Sequence, residues 1–247
     1  MSHHGHGSGL ASASKAHRIL RFVLVGSPNC GKTTLFNALT GLRAKTGNYP
    51  GVTVARYEGR HRVGEADVII EDLPGTYSLE AISPDEEVVS QVLGDGVSVG
   101  SPITGQIVLL DATSLRRSLT LLSHVQQVAR PTLVVLTFTD ELARRGGSID
   151  IKALSRAIGV RVIPIVAGDR AGVEELSEAL SSVESWPAPI VPPPIGQSDI
   201  FSWSASVLEA AHYREADTDR RSHGIDRVLL HPLWGTLVFF ATMFAFF

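Results

Sequence analysis

Short apolar runs alternate along this chain with longer stretches in which apolar residues recur every third or fourth position. Ile19–Val25, Val54–Tyr57, Val68–Glu71, Ile107–Leu110, Leu133–Leu136 and Val162–Ile165 read as strands, several of them apolar enough to be covered on both faces. Lys32–Leu42, Asp85–Val92, Ser114–Val128, Ile151–Ile158 and Val173–Val183 carry the helical period between them. Strands in alternation with helices predict an α/β fold, a mainly parallel six-stranded sheet with helices on both faces. The span 18–184 is long enough to bury one such core.

The flanks differ in character. Residues 1–17 are polar, rich in glycine and serine, and contain His3, His4, His6 and His17, the pattern of a disordered tail. Two readings of those histidines stay open: metal capture, for which no cysteine or carboxylate completes a site, and an expression-tag remnant. Five prolines within Pro187–Pro194 predict a stiff linker. Residues 199–216 suit one helix, so 185–224 is expected to be a linker with a shortened helical region. From Leu233 to Phe247 no charge occurs. As a helix that run is about 22 Å long against roughly 30 Å of bilayer hydrocarbon, so 225–247 reads as the start of a truncated membrane helix. A buried C-terminal core helix is the other reading of an all-round apolar run.

Composition narrows the class. The chain has 247 residues, 44% hydrophobic and 19% charged, with a formal net charge of -3. That is a folded protein, and the near-neutral balance argues against a nucleic-acid partner, which calls for a basic excess. A single cysteine excludes a disulfide-stapled secreted fold, and the N-terminus shows no basic start followed by an apolar core, the mark of a signal peptide. A cytosolic domain held at a membrane is expected.

The candidate chemistry lies after the first strand. Gly26-Ser27-Pro28-Asn29-Cys30-Gly31-Lys32-Thr33 has the spacing G-x-x-x-x-G-K-[ST], with a strand before it and a helix after it. Glycines let the backbone wrap phosphates with its N–H groups inward, and a helix N-terminus adds favourable partial charge. Lys32 supplies a point charge for the outer phosphates and the Thr33 hydroxyl a magnesium ligand, with Thr34 beside it. Downstream, Asp72-Leu73-Pro74-Gly75 closes the Val68 strand, where an aspartate faces the same crevice and can hold the magnesium shell. Gly75 would bring its N–H to the terminal phosphate. Between them, Gly47-Asn48-Tyr49-Pro50-Gly51-Val52-Thr53 suits a loop ordered by nucleotide, with Thr53 as a second magnesium-binding hydroxyl or an ordinary strand threonine. Cys30 has two readings: a thiol activated by the helix N-terminus and Lys32, or a small residue that fits the turn.

Gly26–Gly41, Gly47–Val54 and Asp72–Leu79 resemble the cytosolic GTPase domain of the bacterial ferrous-iron transporter B family, as do Ser83–Glu87 and Ile225–Pro232. The resemblance implies a Ras-like P-loop fold, GTP/GDP with Mg2+, slow hydrolysis and a polytopic permease beyond the domain. It places the chain at the cytoplasmic face of the bacterial inner membrane, partnered by the rest of the permease and by small accessory iron-transport proteins. By position it implies phosphate and magnesium ligation by Lys32 and Thr33, switch contacts at Thr53 and Gly75, and K+ beside the phosphates at Asn29. Thr76 stands where related GTPases carry a water-orienting glutamine.

The base-reading elements depart from the family pattern. Thr137-Phe138-Thr139-Asp140 stands in place of N-x-x-D, and Val166-Ala167 in place of a serine-alanine pair. Asp140 can still accept from the guanine N1 and N2 donors, which adenine does not offer together, and the Ala167 N–H can still meet O6. Loss of the asparagine amide predicts a less steady loop and weaker binding. Two functions therefore compete: a Mg-dependent GTPase that gates or drives ferrous-iron uptake, and a nucleotide-impaired docking scaffold of the same transporter.

Overall fold

The computed structural model describes residues 19–64, 66–79, 83–98, 100–216 and 231–246. The histidine-containing tail and the Ile225–Leu230 part of the membrane elbow lie outside them.

Strands β1 (Ile19–Gly26), β2 (Ala44–Asn48), β3 (Ala55–Val63), β4 (Ala66–Asp72), β7 (Gly105–Asp111), β8 (Thr132–Thr137) and β9 (Val162–Ile165) form one sheet in the order β2-β3-β4-β1-β7-β8-β9. A separate two-stranded hairpin pairs β5 (Val97–Ser98) with β6 (Ser101–Pro102). The sheet is parallel from β4 through β9 and antiparallel where β3 meets β2 and β4. The sequence predicts six strands; the seventh is β2, whose Ala-Lys-Thr-Gly-Asn is exposed throughout and carries no apolar alternation. It is a solvated edge, and its backbone pairing with β3 defines it.

Helices α1 (Lys32–Thr40) and α6 (Arg170–Ser181) cover one face through Leu35, Phe36, Leu39, Leu176 and Leu180. Helices α2 (Pro84–Asp95), α3 (Leu115–Val125) and α5 (Ile151–Ile158) cover the other through Val89, Leu93, Leu119, Leu122, Leu154 and Ile158. A short α4 (Thr139–Arg144) leaves the end of β8. These two apolar layers place every parallel strand's C-terminal end on one edge, where open α/β sheets bind ligands.

The proline-rich segment carries neither helix nor strand, yet it is held: the Pro193 carbonyl accepts from Gln127 Nε2 at 2.6 Å, and Pro189 abuts Gly159. Helix α7 (Gln197–Ala210) then packs on α3 and α5, burying Ile200, Val207 and Leu208. It ends short of the expected 216; the chain turns at Ala211–His212, and Arg214 pairs with Ser148. Helix α8 (Pro232–Phe246) exposes Leu237, Phe239, Phe240, Phe244 and Phe246. Among the described residues no helix is long and apolar enough to cross a membrane.

Candidate functional site: the phosphate loop and the cleft beside it

Strand β1 is buried along nearly its whole length and delivers the chain into the loop 27–31. Two residues of that loop take left-handed backbone, Asn29 at φ 63° and Gly31 at φ 89°. Asparagine is among the few side chains that tolerate this region, and glycine adopts it without steric cost. Gly31 caps α1 without a side-chain hydrogen bond, which leaves the first-turn N–H groups of the helix to serve an anion. Gly26 is required by a close approach: a Cβ there would lie 2.6 Å from the Cys30 sulfur.

The carboxylate of Asp72 ends β4 opposite α1. Lys32 Nζ donates to its Oδ1 at 2.8 Å and the Thr33 hydroxyl to its Oδ2 at 3.3 Å. Three residues expected at one site are thus assembled, with Lys32 and Asp72 side chains almost wholly buried. Gly75 comes against the loop as well, for a Cβ on it would stand 3.1 Å from the Pro28 backbone. Thr76 N–H donates to the Gly26 carbonyl at 3.1 Å, and its buried hydroxyl is engaged with the Ser78 carbonyl and Glu86. Thr76 therefore braces the loop after β4.

A cavity of about 580 Å³ lies over the loop, lined by Asn29, Lys32, Thr33, Gly75 and Asp85 among others. A second, of about 490 Å³ and mostly apolar, is walled by Leu35, Ile165, Val166, Ala167 and Val173. Gly31, Thr34 and Phe138 line both, so the two make one cleft with a charged and an apolar end. A larger groove of about 890 Å³ between α3 and α7 contains none of these elements.

Thr137, at the asparagine position, is engaged with the phosphate loop. Its hydroxyl, on a buried side chain at the end of β8, lies 2.9 Å from the Cys30 carbonyl and 3.2 Å from that of Leu110. A shorter side chain thus still contacts the phosphate loop. Cys30 is 1% exposed, and burial pushes its thiol up to about 11, so the small-residue reading describes it and the activated thiol does not.

Two expected residues sit elsewhere. Thr53 is exposed on the loop after β2 and does not line the cleft; its neighbours Pro50 and Val52 face Glu87, Val88 and Gln91 of α2. Asp140 is exposed in the first turn of α4 and lines neither cavity. Conversely, Phe138 and Asp85 line the cleft and do not stand out in the sequence. Phe138 is held at φ 58° before α4, and its ring approaches Gly31. Asp85 is placed by a capping box in which Ser83 accepts from the Glu86 N–H while the Glu86 carboxylate accepts from the Ser83 N–H. The Ser-Pro-Asp-Glu-Glu string was the available signal.

A parallel sheet with a phosphate loop after its first strand, a D-x-x-G turn closing onto that loop and an antiparallel edge next to it define a Ras-like P-loop GTPase domain. The match of the ferrous iron transport protein B family model to residues 20–180 specifies it further, and the chain belongs to that family. It is 42% identical over 163 residues to the Fe(2+) transporter FeoB of Leptospira biflexa, covering 66% of this chain and 23% of that protein. Over 175 residues it is 35% identical to an Fe(2+) transport protein A/Fe(2+) transporter FeoB fusion protein of Porphyromonas gingivalis, covering 71% and 20%. Among solved structures, the cytosolic domain of the T. maritima FeoB iron transporter in a GDP form superposes with a TM-score of 0.65 at 31% identity, covering 74% and 69%. The chain spans less than a quarter of the length of these curated relatives.

Proposed function

We propose that the chain binds and slowly hydrolyses GTP as the cytosolic domain of a ferrous-iron transporter, at the cytoplasmic face of a bacterial inner membrane. The carrying observation is the joined cleft, whose charged end is lined by Lys32 and Thr33, both bonded to the buried Asp72 behind them, and from which an apolar slot continues. Lys32 would hold the outer phosphates, and the Thr33 hydroxyl and Asp72 carboxylate are the hard oxygen donors that suit Mg2+. Magnesium would supply charge neutralisation between the phosphates. The left-handed Asn29 lines the same end, and its amide oxygen suits K+.

The purine would enter the slot between Phe138 and Val166, with the Ala167 N–H toward the base edge. Thr53 would join the phosphates after its loop moves, and Gly75 already closes on the phosphate loop. Catalysis would rest on Lys32, Asn29, Thr53 and Gly75, since Thr76 is committed to Ser78 and Glu86. Residues 225–247 would lead into the membrane-embedded remainder of the permease. The transport protein A fusion among the relatives supports small accessory iron-transport proteins as partners.

Titration with fluorescent GTP and ATP analogues and magnesium, in potassium and in sodium salts, tests this reading. Guanine-selective binding with faster hydrolysis in potassium is expected. A second reading, a docking scaffold with impaired nucleotide binding, draws on the outlying position of Asp140. It predicts no guanine preference, and a Lys32→Ala chain that still supports uptake.

A further inference from the structure

Glu71 is fully buried, yet it lies in neither cavity of the cleft. Four side chains donate to its carboxylate. The Tyr49 hydroxyl donates at 2.8 Å, Arg56 Nε at 3.1 Å and Arg21 Nη1 at 3.3 Å, and the Ser98 hydroxyl sits 2.7 and 2.6 Å from the two oxygens. Glu58, its cross-strand partner, shares both arginines. Two carboxylates and two guanidiniums make the cluster neutral. A buried carboxylate persists in a protein only with such a full set of partners, and removing one is felt by the rest.

The donors do not come from equivalent places. Arg21 stands on β1, Arg56 on β3, where it pairs with Gly47 of β2, and Ser98 on β5, all fixed by strand pairing. Tyr49 belongs to the loop that carries Thr53. Its N–H closes that loop on the Val54 carbonyl at 3.1 Å, and its own carbonyl accepts from Val52 at 3.3 Å. With the phenol buried, Tyr49, Pro50 and Val52 lie against α2, and the exposed Thr53 does not line the phosphate end of the cleft. One residue further along β4, Asp72 points to the opposite face and holds Lys32 and Thr33. The anchor of the loop and the anchor of the phosphate site thus occupy adjacent residues of one strand.

We propose that Tyr49 and Glu71 form a latch that holds the Thr53 loop in its disengaged position, so that Tyr49 acts as a positioning residue for the preference between nucleoside triphosphate and diphosphate. Thr53 reaches the phosphates only when the Tyr49–Val54 closure opens and the phenol leaves Glu71. A ligand that rewards Thr53 must work against that hydrogen bond, and one that does not engage Thr53 is indifferent to it. The inference rests on the nucleotide-binding reading above.

Tyr49→Phe keeps the ring in the core and removes the hydroxyl. With magnesium present, the full chain carrying it is expected to bind a non-hydrolysable GTP analogue about tenfold more tightly relative to GDP than the unsubstituted chain, with GDP affinity within about twofold. Ser98→Ala is the control, since it removes another Glu71 partner but lies off the loop; its affinity ratio is expected to stay unchanged. Hydrogen exchange of the peptide spanning 47–54, measured without nucleotide, is expected to quicken in Tyr49→Phe and not in Ser98→Ala. An unchanged affinity ratio in Tyr49→Phe, or equal shifts in both variants, overturns the latch. If the unsubstituted chain binds neither nucleotide, the functional reading fails; the exchange experiment then decides the latch alone, and unchanged exchange overturns it.

Discussion

Thr137 ties two segments distant in sequence, the phosphate loop and the end of β7, with a single hydroxyl. Valine has the same shape and no donor. Thr137→Val is expected to lower stability by about 1–3 kcal/mol, because the one hydroxyl proton shared by the Cys30 and Leu110 carbonyls is lost, and to weaken nucleotide binding; Thr137→Ser should restore both. Thermal unfolding and titration read the two effects. Cys30 tests the same region chemically. Its thiol titrates near 11 in the fold against 9.0 for the unperturbed group, so the folded state holds the proton more tightly. The stability linked to that proton is fully present below pH 9 and is lost as pH rises toward 11. Iodoacetamide at pH 8 is expected to leave the native chain unlabelled while modifying it fully in denaturant. Rapid labelling of the native chain would contradict the buried thiol.

Strand β3 and helix α1 meet at Gly59, where a Cβ would lie 2.2 Å from the Thr40 methyl group. Thr40 cannot turn aside without giving up its 2.8 Å bond to the Phe36 carbonyl. Gly59→Ala is therefore expected to cost about 1–3 kcal/mol by overpacking, seen as a lower denaturation midpoint at unchanged slope. This contact also marks the limit of what could be read from the sequence at the scale of elements. The buried strands announce themselves because both faces are apolar, and the P-loop because its spacing is strict. The exposed β2, the short β5–β6 hairpin and the six-residue α4 have no hydrophobic period to reveal them. The Glu71 cluster is hidden for another reason: its members come from four separate stretches of the chain, and β4 reads there as an apolar strand that merely ends in two acids. Phe138 is not legible in the sequence because its placement depends on a left-handed backbone that no local pattern signals in a phenylalanine.

Across the molecule, apolar surface is unevenly spent. The sheet hides its own behind five helices, whereas α8 presents at least four phenylalanines outward. A chain ending at residue 216 is expected to keep its melting temperature and to stop co-sedimenting with lipid vesicles, while the 247-residue chain sediments with them; equal sedimentation of both would remove α8 from any membrane role. Asp72 has a consequence of the same global kind. Its charge is balanced by Lys32 across 2.8 Å, so Lys32 brings its own counter-ion to the cleft. Anything that draws Lys32 toward phosphate leaves a carboxylate unpaired, and anything that claims the carboxylate leaves an ammonium unpaired. With phosphate on Lys32 and a cation on Asp72, ligand uptake would be an exchange of ions, the anion and the cation each removing the cost that the other imposes, and the two are expected to bind as a couple.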